Sequence, residues 1–412
     1  MDNKVSTSQR TDLKWLQNQP VDTQLAMIQH HLSLTQMLVN ELLQNEVTRL
    51  AGERYSREKP HDGRFSRYGF NPSSVRVGEQ KIRVDVPRIW DKQEEKNQTL
   101  ETFLAMQQQE VDEERLYKSV LKGLSTRDYE GVVDGASEAF GISKSSLSRS
   151  FIEQTAAKLE EFETRDLAHY RFVAFFIDGK YQAGQQIVIV LGLTEKGEKI
   201  PLGFIQADGE SAQAINDLWK NLLARGLQIG DGALFIIDGS KGIRKSILDC
   251  FGQKALIQRC IWHKRENIEG YLNESIRAEF RRKYHAALAE TSFEQAHAKM
   301  LELKTWLQKI NLSAANSLDE ALEDLLTLHR LGVHDELGKS LSTTNCIENL
   351  NSQLAKYTAK IKHWKNSEQR HRWVAAALLL IETRMHKIQN HQKLYLLQAA
   401  ISKLLVRQPE PA

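Results

Sequence analysis

RFVAFFIDGKYQAGQQIVIVLGLTEKGEKIPLGFIQA (171–207) decides the fold. RFVAFFID (171–178) is a near-continuous apolar run that ends on a charge, the pattern of a strand buried on both faces. QQIVIVLGLT (185–194) and KIPLGFIQA (199–207) read as two further strands, with Glu195-Lys196-Gly197-Glu198 as the turn between them. Working outward, SAQAINDLWKNLLARGL (211–227) has helical periodicity, then come ALFIID (233–238), a helix from Ser240 to about Phe251, and ALIQRCIWH (255–263). The order is β-β-β-α-β-α-β. Three meandering strands followed by alternating helix and strand predict a mixed sheet with helices on its faces.

That is the order of an RNase H-like core, an α/β fold in which the first and fourth strands lie parallel and adjacent. Both of these strands end in Asp-Gly, at Asp178-Gly179 and Asp238-Gly239. Two carboxylates brought to one edge of a sheet repel unless a cation lies between them. Mg²⁺ is the natural one, being hard and usually held by one or two carboxylates with water and substrate phosphate. The plain alternative is that each Asp-Gly is a turn, since Asp bonds nearby backbone N–H groups. In Asn345-Cys346-Ile347-Glu348, Glu348 is spaced as a capping box with Asn345 at the N-cap, so spacing alone does not separate a cap from a ligand. Cys260-Ile261-Trp262-His263 lacks the second ligand pair of a structural zinc site. His263 reads either as a group orienting a phosphate or water, or as a satisfied buried histidine.

Around this core the chain is mostly helical. Leu25, Ile28, Leu32, Leu38, Leu42 and Val47 form an apolar stripe from Val21 to about Glu53, facing a core or a second copy. Residues 54–74 read as a basic loop, and SVRVGEQKIRVDVPRIW (74–90) as a small β-hairpin around Gly78. Within 111–163, a turn at Gly141-Ile142-Ser143 separates two helices, and the second presents Lys144, Ser145, Ser146, Ser148 and Arg149. This is either a helix-turn-helix for a major groove or an ordinary helical hairpin. Residues 264–342 read as helix throughout, an all-helical insertion, and 343–412 as helices that complete the core. The expected division is 1–53 (helical, possible dimerisation), 54–110 (basic linker and hairpin), 111–165 (helix-turn-helix), 166–263 (first part of the catalytic core), 264–342 and 343–412.

Bulk properties agree. A chain of 412 residues with 41% hydrophobic and 26% charged residues has an ordinary globular composition, enough for several domains. The net charge of +3 is too small to imply nucleic-acid binding by itself. Its distribution says more: 54–92 holds ten Lys/Arg against five Asp/Glu, and 351–373 holds six against one. The three cysteines form no disulfide framework, and no apolar run approaches a membrane span, so a soluble cytoplasmic protein without membrane partners is expected.

FFIDGK (175–180), ARGLQIGDGALFIIDGSKGI (224–243), QRCIWHKRENI (258–268) and TTNCIENLNSQL (343–354), in this order, resemble the Mutator-type transposases of bacterial insertion sequences. VDVPRIW (84–90) and GISKSSLSR (141–149) match the same family. The resemblance implies a metal-binding triad of Asp178, Asp238 and Glu348 that holds Mg²⁺ or Mn²⁺, as two ions. It implies a structural or substrate-positioning role for Cys260 and His263. By position it makes Lys144, Ser148 and Arg149 candidate DNA contacts. The partners implied are the terminal inverted repeats of a transposon, target DNA, and further copies in a homodimer or larger assembly. The implied activity is metal-dependent strand cleavage and strand transfer in the bacterial cytosol. The rivals are a catalytically silent DNA-binding regulator derived from such an enzyme, and a nuclease that cuts without joining.

Overall fold

The computed structural model describes residues 20–22, 31–56, 60, 63–77, 80–107, 113–124, 129–140, 143–182, 185–207, 212–359, 361, 364 and 366–406. Leu25, Ile28, Gly78, Gly141, Ile142 and the tail 407–412 lie outside these residues. The chain forms two compact units, one from residues 1–120 with 130–150, the other from 121–129 with 151–412.

In the first unit, α1 (His31–Ala51) packs on a three-stranded sheet of β1 (Phe65–Val77), β2 (Gln80–Asp91) and β3 (Lys96–Gln98). The face of α1 that is buried carries Val39, Leu43, Val47 and Ala51, whereas Leu38 and Leu42 point outward, so the stripe read from the sequence joined two faces. The hairpin begins at Phe65, inside the segment read as a loop. Gly69 and Pro72 misled that reading. Gly69 has a left-handed φ of 81° at a break in strand register, and Pro72 lies in an edge strand, where it forfeits no ladder bond on its outer side. Helices α2 (Glu101–Gln107), α3 (Glu113–Gly123), α4 (Tyr129–Phe140) and α5 (Lys144–Thr164) follow, α3 passing into the second unit at Leu121 and α5 at Phe151.

In the second unit, β4 (Phe172–Gln182), β5 (Gln185–Thr194) and β6 (Lys199–Ala207) form the antiparallel meander. After α6 (Ala212–Ala224) comes β7 (Ala233–Ile237), parallel to β4. After α7 (Lys241–Phe251) comes β8 (Ala255–Arg259), parallel to β7. The five strands run in the order β6-β5-β4-β7-β8. One face of this mixed sheet buries Phe175, Ile177, Val188, Phe235 and Ile257 with Trp219 of α6 and Ile247 of α7. Phe175 stacks on Phe235 at 5.1 Å, and Trp219 meets both edge-on at 5.9 Å, so the two parallel strands share one aromatic cluster. Strand alternation then puts Phe176 and Asp178 on the opposite face.

From there the chain is helical: α8 (Ile261–Glu269), α9 (Glu274–Leu288), α10 (Phe293–Gln308), α11 (Leu312–Asp319), α12 (Leu322–Leu325), α13 (Thr327–Arg330) and α14 (His334–Leu341). Phe280, Tyr284, Met300, Leu307 and Leu318 form a core of their own within this stretch. Helices α15 (Asn345–Thr358), α16 (Ser367–Glu382) and α17 (Leu394–Val406) complete the unit, with α15 packed on β4 and α16 on β6.

Candidate active site

Parallel pairing sets the first two carboxylates. Ile177 is in register with Ile237, so the next residues are Asp178 in β4 and Asp238 just past the end of β7. Two details differ from the sequence reading. β4 does not end at Asp178 but runs on to Gln182, with Asp178 opposite Ile189 of β5. The antiparallel partner keeps satisfying its backbone after β7 has stopped. Only Asp238 is in a turn, where its Oδ1 accepts from the Ser240 N–H at 3.1 Å while Ser240 caps α7. Gly239 has φ 118°, and a Cβ there would lie 1.8 Å from the Arg259 guanidinium carbon. Glycine is thus needed twice over, for the backbone and for the arginine lying across it.

Glu348 arrives by a second set of backbone bonds. The Cys260 N–H donates to the Ile237 carbonyl at 2.8 Å, and the Ile261 N–H to the Ser342 carbonyl at 3.0 Å. The entry to α15 is thereby tied to the sheet end that carries Asp238. β8 stops at Arg259, so His263 lies in the first turn of α8 and not at a strand end. Thr344, not Asn345, is the N-cap of α15. The Glu348 carboxylate makes no capping box; its Oε1 accepts from the Thr344 hydroxyl at 2.6 Å. His263 Nε2 stands 3.9 Å from the same oxygen. The donor atoms of Cys260, His263 and Glu348 lie within 4.8 Å of one another. Thr344 Oγ1 is among all three, 3.3 Å from Cys260 Sγ and 3.2 Å from His263 Nδ1.

The electrostatics bind these groups into one neighbourhood. Burial, then the Asp238 charge, push the Asp178 carboxyl up to about 6; Glu348 adds to this, while His263 and the Asn351 amide oppose it. His263 is held up to about 9 by its hydrogen bond with Cys260 and by the Glu348 and Asp178 carboxylates. Burial raises the Cys260 thiol, but hydrogen bonds from His263 and Thr344 outweigh it and leave the thiol below its ordinary value. Asp178, 7% exposed and resisting ionisation, offers with Asp238 and Glu348 hard oxygen atoms of the kind that Mg²⁺ or Mn²⁺ takes, although the possible ligand atoms that lie within 4.8 Å of one another are those of Cys260, His263 and Glu348.

Of the expected site residues, Cys260, His263 and Glu348 form the tight cluster among the described residues, while Asp178 and Asp238 lie at neighbouring places of one sheet end and the charges of Asp238, Glu348 and His263 are felt at Asp178. Lys144 and Arg149 are exposed at the start of α5 and Ser148 is half-buried. Ser143 caps that helix by accepting from the Ser146 N–H at 3.1 Å, and Lys144 pairs with Asp134 of α4 at 2.5 Å. Four residues escaped the sequence reading. Asn351 is fully buried, donates from Nδ2 to Asp178 Oδ2 at 2.9 Å, and faces Gln182 Nε2 at 3.4 Å. Gln182, Thr344 and Arg259 are the others. Asn351 lies one helical turn beyond Glu348, which was a usable signal: a buried amide on the same helix face as a candidate ligand. The partners of Thr344 and Arg259 are remote in sequence and gave none.

A family model described as "Transposase, Mutator family" matches residues 7–386. The chain is 25% identical over 360 residues to the transposase for insertion sequence element IS905 of Lactococcus lactis subsp. lactis (strain IL1403), covering 82% of this chain and 85% of that one. It is 25% identical over 359 residues to the transposase for insertion sequence element IS256 in transposon Tn4001 of Staphylococcus aureus, covering 82% and 87%. To the transposase for insertion sequence element ISRM5 of Rhizobium meliloti (strain 1021) it is 26% identical over 308 residues, covering 69% and 74%.

Proposed function

The chain belongs to the Mutator family of transposases, and on that premise we propose that it cuts and joins DNA with Asp178, Asp238 and Glu348 at the edge of an RNase H-like core. The observation that carries this reading is the register of Ile177 with Ile237, which brings Asp178 and Asp238 to neighbouring places at one sheet end, with Glu348 near enough to add to the rise of the Asp178 carboxyl. The strand order β6-β5-β4-β7-β8, interrupted by a long helical stretch before α15, supports the same core. The segments 1–53, 54–110, 111–165, 166–263, 264–342 and 343–412 are proposed as its functional divisions.

Asp178, Asp238 and Glu348 would hold Mg²⁺ or Mn²⁺, as two ions; bound there, the ions would activate water or a 3′-hydroxyl and stabilise the leaving oxygen. The protein's own part is positional. The shared sheet keeps the strands that carry Asp178 and lead to Asp238 in register, and the Ile261–Ser342 bond ties the start of α15 to the same region, from which Glu348 would complete the triad. The cationic His263 offsets part of the negative charge and offers an N–H to a phosphate oxygen. Water first cleaves at a transposon end, and the freed 3′-hydroxyl then attacks a phosphodiester of target DNA. Terminal inverted repeats would be read by a helix-turn-helix of α4 and α5 through Lys144, Ser148 and Arg149, in an assembly of at least two copies in the bacterial cytosol. No helix among the described residues is long and apolar enough to cross a membrane.

The test is strand cleavage and joining on labelled DNA that carries the ends of the flanking element. Wild type is compared with Asp178→Asn, Asp238→Asn and Glu348→Gln, with Mg²⁺ and with chelator. Loss of chemistry in each variant with retained DNA binding is expected. Activity in Glu348→Gln alone would remove Glu348 from the triad. Binding without cutting by the wild type would make the protein a silent regulator, and cutting without joining would make it a nuclease.

A further inference from the structure

The three carboxylates share a pattern: each has one oxygen gripped by the protein. Asp178 Oδ2 accepts from Asn351 Nδ2 at 2.9 Å. Asp238 Oδ1 accepts from the Ser240 N–H at 3.1 Å. Glu348 Oε1 accepts from the Thr344 hydroxyl at 2.6 Å. Asp178 Oδ1, Asp238 Oδ2 and Glu348 Oε2 accept no hydrogen bond among the described residues. Both gripping side chains are neutral and fully buried, with Asn351 and Thr344 at 0% exposure.

We infer that Thr344 and Asn351 are positioning residues that lock Glu348 and Asp178 in rotamers presenting one oxygen each to the metal-binding edge of the sheet. A free carboxylate rotates and offers either oxygen or both; one held by a buried donor keeps a single oxygen outward. Neutral donors do this without adding a charge that would compete with a cation. Outer groups of this kind orient ligands and strengthen metal binding, typically by about 10–100-fold.

The Cys260-x-x-His263 pair gains a role in the same scheme. A hydroxyl has one proton, and the shortest contact of Thr344 Oγ1 is with Glu348, so the proton goes to that carboxylate. Cys260 Sγ at 3.3 Å and His263 Nδ1 at 3.2 Å occupy the other sides of Oγ1, and Sγ also accepts from the Thr344 N–H at 3.4 Å. The motif thus serves as a socket for Thr344, its two side chains taking the sides of Oγ1 that Glu348 leaves. On the Asp178 side, Gln182 Nε2 sits 3.4 Å from Asn351 Oδ1 and turns the amide so that its NH₂ faces the carboxylate.

This inference rests on the proposed triad, so the test separates the two. The full-length protein is titrated with Mn²⁺ alone, without DNA, and free Mn²⁺ is read by electron paramagnetic resonance. Thr344→Val keeps the shape and removes the hydroxyl; Asn351→Leu removes the amide; Thr344→Ser keeps the donor. Half-saturation that needs about tenfold more Mn²⁺ or beyond in the first two, with Thr344→Ser near wild type, is the expected result. Melting midpoints are taken alongside, and Thr344→Ala and Asn351→Ser replace any variant that fails to fold. Wild-type half-saturation in the variants lacking the donor, with Mn²⁺ binding lost in Asp178→Asn, overturns the positioning role and leaves the triad standing. Wild-type Mn²⁺ binding in Asp178→Asn sinks the triad and the inference with it. A Thr344→Ser as weak as Thr344→Val also overturns it, because shape and not the hydroxyl would then matter.

Discussion

Replacing Asp178 by Asn should remove the ligand proposed for catalysis and yet stabilise the metal-free protein. Asp178 is 7% exposed, and burial together with the Asp238 charge lifts its carboxyl from 3.8 to about 6. A carboxyl whose folded value is raised binds its proton more tightly folded than unfolded. The stability this contributes is fully present below pH 3.8 and is lost as pH rises through about 6. A rise of this size corresponds to about 3 kcal/mol, an order-of-magnitude figure. Asparagine has no charge to bury, and its carbonyl oxygen still accepts from the Asn351 amide. In denaturant titrations with chelator, wild type and Asp178→Asn should match near pH 3.5. The variant should then gain over wild type between about pH 4 and pH 6 and hold a lead of up to about 3 kcal/mol at pH 8. Added Mg²⁺ should narrow that lead by stabilising only the wild type. A lead independent of pH, or a variant less stable than wild type at pH 8 without metal, would refute the argument that burial and the Asp238 charge outweigh what His263 and Asn351 return to the Asp178 carboxylate.

Gly239→Ala should cost about 2 kcal/mol or more, because it combines a left-handed φ with a Cβ placed on the Arg259 guanidinium. Its melting midpoint should fall clearly, and a midpoint equal to wild type would show that Arg259 swings away freely. Lys144→Ala and Arg149→Ala change exposed side chains at the start of α5 and should leave stability within about 0.5 kcal/mol of wild type. Fluorescence anisotropy on terminal-repeat DNA should show weaker binding and a shallower salt dependence for both, and unchanged binding would remove α5 from the interface.

The core was legible because its signals are local. Apolar runs of strand length, separated by turn residues, predicted β5 and β6 with their observed bounds, and two Asp-Gly pairs at the ends of apolar runs predicted the first two candidate ligands. The same kind of signal misplaced three boundaries. Gly69 and Pro72 read as loop, yet they lie in β1, because an edge strand tolerates a bulge and a proline that a central strand would not. Asp178-Gly179 read as the end of β4, yet the strand continues because β5 still pairs with it. Cys260-Ile261-Trp262-His263 read as strand, yet the helix begins at Ile261, whose N–H is taken by Ser342.

By itself the sequence determined the element order, the mixed sheet and the residue types able to hold a divalent cation. Those depend on hydrophobic period and chemistry, which act over a few residues. Tertiary structure alone decided how the carboxylates are held. Asn351 reaches Asp178 across 173 positions of chain, and Thr344 meets Cys260 across 84. Glu348 could be a helix cap or a ligand as far as spacing went. The fold removes the capping box: backbone bonds from Cys260 to Ile237 and from Ile261 to Ser342 set where α15 begins, Thr344 is its N-cap, and the Glu348 carboxylate takes the Thr344 hydroxyl. Such contacts are formed by packing between segments far apart in the chain, and no local pattern encodes them.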